Sequence, residues 1–140
     1  MSDYISSNEN VQLSLPLNPA YVYSVRLTAS SIATRCGFDI DEIEDIKAAV
    51  SEACAFVINE LPSKVGSAFT LNFEIHKNVI EITIKAKTTV DLDLLDGDMS
   101  IIMIKALMDK FQISNVSNDC IEIKMSKNHK LVSFNSENYS

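Results

Sequence analysis

No stretch of this chain is apolar for more than a few residues, far short of the roughly 20 that a helix needs to span a bilayer. The opening MSDYISSNEN is polar and has no basic cluster, so neither export nor membrane insertion is expected, and a cytoplasmic location is. Cysteine is scarce: Cys36, Cys54 and Cys120 lie far apart in apolar surroundings, which suggests neither a disulfide framework nor a zinc knuckle. The two histidines, His76 and His129, are distant in sequence, and no metal site is assigned to them. Positive charge is also short. With 12 Lys and Arg against 19 Asp and Glu, the net charge of −7 excludes a protein built mainly to neutralise nucleic-acid phosphates.

What is present suits one compact domain. The 140 residues are 46% hydrophobic, enough to bury roughly two-thirds of the unfolded surface. A domain over 11–126 is expected, between polar tails at 1–10 and 127–140. The acids concentrate between 39 and 61, where Asp39, Asp41, Glu42, Glu44, Asp45, Glu52 and Glu60 face Lys47 as the only base. Two readings stand: a solvated face matched to the helix dipole, or a docking surface for a basic partner.

Val11, Leu13 and Leu15 alternate with polar residues and predict a strand ended by Pro16. Asn18 followed by Pro19 predicts a helix start, and Gly37 a left-handed stop, giving a helix over 19–36. A second helix has Asp39 as N-cap, Glu42 completing a variant capping box, and Phe38 with Ile43 as a hydrophobic staple, and is expected to run to Leu61. Its apolar stripe is Ile43, Ile46, Val50, Ala53, Val57 and Leu61. Glu52 points nearly opposite, with Phe56 one turn away on its side, as if that side faced a second interior.

Phe69 to Ile75 and Ile80 to Ile84 alternate around His76-Lys77-Asn78-Val79, a hairpin. Lys85 to Asp98 is expected to be a loop, Met99 to Phe111 a helix, and Gln112–Val116 with Cys120–Ser126 a hairpin turning at 117–119. The order predicts an α+β two-layer sandwich, a mixed and mostly antiparallel sheet covered on one face by helices.

The segment RLTASSIATRCGFDIDEIEDIKAAVSEACAFVINEL, residues 26–61, resembles the anti-sigma-factor serine kinases of the Bergerat-fold (GHKL) superfamily, the histidine-kinase-like ATPases. Their helix carries Ser-Glu-Ala-Cys/Val-Thr-Asn-Ala, in which Glu is the general base and Asn holds the magnesium of ATP. Here it reads Ser51-Glu52-Ala53-Cys54-Ala55-Phe56-Val57, so Glu52 matches the base and Phe56 replaces the metal ligand. Ala106-Leu107-Met108-Asp109 matches the family's "LMD" helix.

Other nucleotide elements depart from the pattern as well. Ile84-Lys85-Ala86-Lys87-Thr88 stands where the adenine-reading Asp-x-Gly belongs, and Asp96-Gly97-Asp98-Met99-Ser100 where a glycine-rich phosphate cradle belongs. Only three glycines, Gly37, Gly66 and Gly97, occur in the whole chain, and the lid looks shortened. If each lost element costs about 3 kcal/mol, three together cost about 9 kcal/mol, or about 10⁶ in rate.

The resemblance therefore implies a degenerate kinase that acts by binding: a homodimer whose partners are a sigma factor and a STAS-type anti-anti-sigma protein. Neither ATP nor Mg²⁺ is expected as a cofactor, and Glu52 becomes a vestigial base. Tyr21 and Arg26, on the first helix that meets sigma in the family, are the expected partner contacts. One alternative is an active kinase rebuilt on Glu52, with Asn59, Asp96, Gly97 and Asp98 at the nucleotide. Another is a ligand sensor or structural subunit on the same fold.

Overall fold

The protein is described here from a computed structural model, over residues 8–61 and 67–130. Five strands form one sheet. In chain order they are β1 (Glu9–Pro16), β2 (Ala68–His76), β3 (Val79–Ala86), β4 (Lys110–Ser117) and β5 (Cys120–Asn128). Their spatial order is β1-β2-β3-β5-β4, and every pairing is antiparallel, so the mixed sheet expected from sequence has no parallel pair among the described strands.

Inward-facing positions are strongly apolar. Phe69, Leu71, Phe73 and Ile75 of β2, Ile80, Ile82 and Ile84 of β3, and Ile121, Ile123 and Met125 of β5 are buried. The alternate positions, including Thr70, Asn72, Glu74, Glu81, Thr83 and Lys124, line the opposite, polar face. Period-two alternation makes this segregation automatic once the register is set. Between β2 and β3 a two-residue turn sets it, with Asn78 at φ 65, a left-handed conformation that Asn tolerates better than most residues.

Three helices cover the apolar face: α1 (Val22–Arg35), α2 (Ile40–Asn59) and α3 (Met99–Leu107). The start expected at Pro19 is a 3₁₀ turn over Pro19–Tyr21, capped by the Asn18 carboxamide accepting from the Ala20 N–H. Gly37, at φ 86, lets the chain turn from α1 into α2. The α2 capping box is formed in both directions: Asp39 Oδ1 accepts from the Glu42 N–H at 2.8 Å, and Glu42 Oε1 from the Asp39 N–H at 2.9 Å. Its stripe is buried except for Ile43, which is half-buried, and Ala49, Cys54 and Phe56 are buried beside it.

Three expected boundaries need correction. The helix predicted through Phe111 ends at Leu107, because Met108 is extended (φ −113, ψ 159) and Lys110 and Phe111 already pair with Ser126 and Met125 of β5. Cross-strand pairing outweighs the helical spacing there. The segment from 127 is also not simply a polar tail. Strand β5 runs to Asn128, Lys127 is 3% exposed, and residues 128–130 are tied back to the domain. Of the expected N-terminal tail, Glu9 and Asn10 belong to β1, opposite Ile75 and Glu74, while its positions 1–7, the tail positions 131–140 and Gly66 lie outside the described residues.

Candidate functional site

The C-terminal end of α2, beyond Glu52, borders a cleft. A cleft of about 330 Å³ opens between the end of α2 and the β3–α3 connection, lined by Phe56, Glu60, Leu61, Thr89, Val90, Asp91, Leu95 and Asp98. Phe56 is 3% exposed, so its ring packs into the core cluster while walling the cleft. Burial of such a side chain stabilises the fold by about 2–3 kcal/mol.

The cleft is acidic at its rim. Glu60, Asp91 and Asp98 contribute carboxylates, and no Lys or Arg is among the lining residues. Two of the three carboxylates are engaged in the chain's own caps. Asp91 accepts from the Asp93 N–H at 3.0 Å, starting a 3₁₀ turn over Leu92–Leu95. Asp98 accepts from the Ile101 N–H at 3.1 Å and so caps α3. The free N–H groups of a helix start are what a phosphate would use; here a carboxylate of the same chain already takes one. Among the described residues the three rim carboxylates do not converge closely enough to share one metal ion.

The other predicted site residues are dispersed. Glu52 is half-buried on α2 one turn before Phe56, and it is not among the cleft's lining residues. Asn59, the last residue of α2, is exposed, as are Asp96 and Gly97, the latter at φ 83 in the turn before α3. Of the positions assigned to cofactor binding, the structure brings only Asp98 to the cleft beside Phe56. Tyr21 is 38% exposed at the start of α1. Arg26 is half-buried, and its Nη1 donates to Ser51 Oγ at 3.3 Å, which sets the guanidinium against α2.

Sequence reasoning missed Thr89, Val90, Asp91 and Leu95. They sit in a connection without periodicity, and only the packing of that loop over α2 makes them a wall. Thr88 is buried just before them.

A sheet covered on one face by helices, with a cleft between the α2 end and the β3–α3 connection, is the architecture of a known class. Residues 15–127 match the family model described as the histidine kinase-like ATPase domain. Among curated proteins, the serine-protein kinase RsbW of Halalkalibacterium halodurans is 31% identical over 127 residues, with 78% of each chain covered. That of Oceanobacillus iheyensis is 32% identical over 130 residues, covering 79% of this chain and 82% of the relative. A crystal structure of the RsbU and RsbW domains of a Mycobacterium tuberculosis protein superposes with a TM-score of 0.65 at 13% identity. It covers 86% of this chain and about a third (32%) of the larger one, a likeness of fold alone. The chain belongs to the histidine kinase-like ATPase family, on the branch of the anti-sigma-factor serine kinases. No helix among the described residues is long and apolar enough to cross a membrane.

Proposed function

We propose that this chain regulates by binding rather than by phosphoryl transfer, as an anti-sigma-factor-like protein that holds a sigma factor, a STAS-type anti-anti-sigma protein, or each in turn. The observation that carries this reading is Phe56: at the position matching the family's magnesium-binding Asn, a buried aromatic ring walls the cleft. The surrounding donor set points the same way. Phosphoryl transfer needs a metal and donors around the phosphates, whereas this cleft offers carboxylates that repel phosphate oxygens and an α3 start capped by Asp98. These residues do not fit a magnesium nucleotide.

On this reading the chain is a cytoplasmic homodimer and its partners dock on the first helix, where Tyr21 is exposed and Arg26 borders α2. Binding is constitutive or set by competition between partners, without nucleotide-driven exchange. One feature favours a rebuilt kinase instead: Asp98, placed at the nucleotide on that reading, does reach the cleft beside Glu60 and Asp91.

Thermal unfolding with and without millimolar Mg-ATP or Mg-ADP, checked by calorimetric titration, separates the two. A ligand at 100 times its Kd stabilises by about 2.7 kcal/mol, several degrees for a chain of this size. The binding-only reading expects no shift. A magnesium-dependent shift overturns it and makes phosphorylation of a STAS partner the next assay.

A further inference from the structure

On the sheet face turned away from the helices, Glu74 and His76 of β2 and Glu81 of β3 each bring one donor atom to within 4.8 Å of the others. Glu74 and Glu81 are direct cross-strand partners. Like charges placed opposite one another destabilise a sheet, and the lysines on the same face make their ion pairs elsewhere. Lys85 and Lys124 both turn to Glu122, at 3.6 and 3.9 Å. Among the described residues, neither Glu74 nor Glu81 pairs with a Lys or Arg.

His76 sits between Asn8 and Glu74. Its Nδ1 lies 2.9 Å from Asn8 Oδ1, an oxygen that can only accept, so the ring proton belongs on Nδ1. Nε2 then faces Glu74 Oε2 at 3.5 Å. With a neutral ring two lone pairs meet there, and with a protonated ring the contact is an ion pair. A charge-assisted N–H···O bond would be about 2.7–2.9 Å long. Two donors each about 2.1 Å from a tetrahedral zinc ion stand about 3.4 Å apart, close to the observed separation. A ring nitrogen held by an oxygen acceptor while the other is left for a metal is the usual arrangement of ligating histidines.

We propose that Glu74, His76 and Glu81 form a binding site for a divalent transition metal of the zinc class, with a fourth position left to water. One imidazole and two carboxylates suit such an ion and neutralise its charge. The metal would convert a repulsive cross-strand pair into a clamp across β2 and β3 and, through Asn8, onto the segment entering β1. The site lies on the opposite face of the sheet from the Phe56 cleft and is independent of any nucleotide.

The test is titration of the untagged, chelator-stripped full chain with zinc chloride by calorimetry and thermal unfolding, with magnesium chloride as the comparison. One zinc per chain, a raised Tm and no response to equal magnesium are expected. His76→Ala and Glu81→Gln should each weaken binding at least tenfold, and Asn8→Ala roughly tenfold while leaving all three ligands in place. Glu81→Gln removes the like-charge repulsion, so it should fold at least as well as the parent chain without metal, and lost binding cannot be ascribed to unfolding. Cobalt(II) in place of zinc should give ligand-field bands without a thiolate charge-transfer band, which separates this site from Cys36 or Cys120. The proposal is overturned by absent zinc uptake, by an equal response to magnesium, by a thiolate band, or by parental affinity in His76→Ala and Glu81→Gln.

Discussion

Nδ1 of His129 lies 2.7 Å from Oε1 of Glu42, across 87 positions of chain, and fastens the end of the sheet to the first turn of α2. The same buried carboxylate accepts from the Asp39 N–H as half of the capping box and from the Lys130 N–H at 2.8 Å. The Phe38 ring meets the His129 ring edge-on at 5.6 Å and closes the contact from the other side. One Glu side chain thus starts a helix and anchors a strand end.

Removing that carboxylate takes the acceptor from three donors at once, the Asp39 and Lys130 N–H groups and His129 Nδ1. Glu42→Ala should cost about 2–3 kcal/mol, from the lost cap and the unsatisfied N–H groups, and lower Tm by on the order of 10 °C. His129→Ala should cost about 1 kcal/mol. In a double-mutant cycle by urea unfolding the two should couple by at least about 0.5 kcal/mol; strictly additive losses would show that the pair does not act as a unit.

Phe56 should resist conversion to the family's residue. Phe56→Ala should destabilise by about 3–5 kcal/mol, the range for emptying a buried aromatic site. Phe56→Asn should cost at least as much, since it also buries an amide, and should not by itself confer Mg-ATP binding, because Asp98 still occupies the start of α3. Calorimetric titration of Phe56→Asn with Mg-ATP checks this. Measurable binding by that single variant would mean that the ring alone blocks the site.

Stability should fall at alkaline pH, and Cys54 is one cause. Burial pushes its thiol up to about 12 from an ordinary value near 9. Because the folded chain then holds a proton that the unfolded chain releases, the contribution is complete below about pH 9 and is lost as pH rises toward 12. Cys36 moves in the same direction, to about 11, chiefly through burial. Urea midpoints measured across pH 8–11 should therefore decline less steeply in Cys54→Ala than in the parent chain. Parallel declines would remove Cys54 as a contributor.

Much of this was legible locally, and the misses share a cause. Lys127 continues the inward series Ile121, Ile123, Met125, yet its charge made it look like the start of a tail. Its Nζ instead donates to the Leu107 carbonyl at 2.6 Å and meets Asp45 at 3.3 Å, so the ammonium satisfies the C-terminal end of α3 and an acid of α2 at once. Phe111 fits a helical spacing after Met108 but lies in β4, because β5 offers it a backbone partner. At the cleft, Phe56 was foreseen as facing a second interior, whereas the walls supplied by Thr89, Val90 and Leu95 come from a connection with no period to read.

Neighbours a few residues apart are enough to set the Asp39–Glu42 capping box, the Lys77-Asn78 turn and the alternation of β2 and β3, and all three could be read from the sequence. Where α3 stops, what Glu42 does beyond its own helix, and the meeting of two glutamates and a histidine on the outer face of the sheet follow from long-range packing. Local spacing fixes hydrogen bonds within a turn or a hairpin. Contacts across tens of residues exist only after strands pair and helices pack, when burial compels each polar group to find a partner.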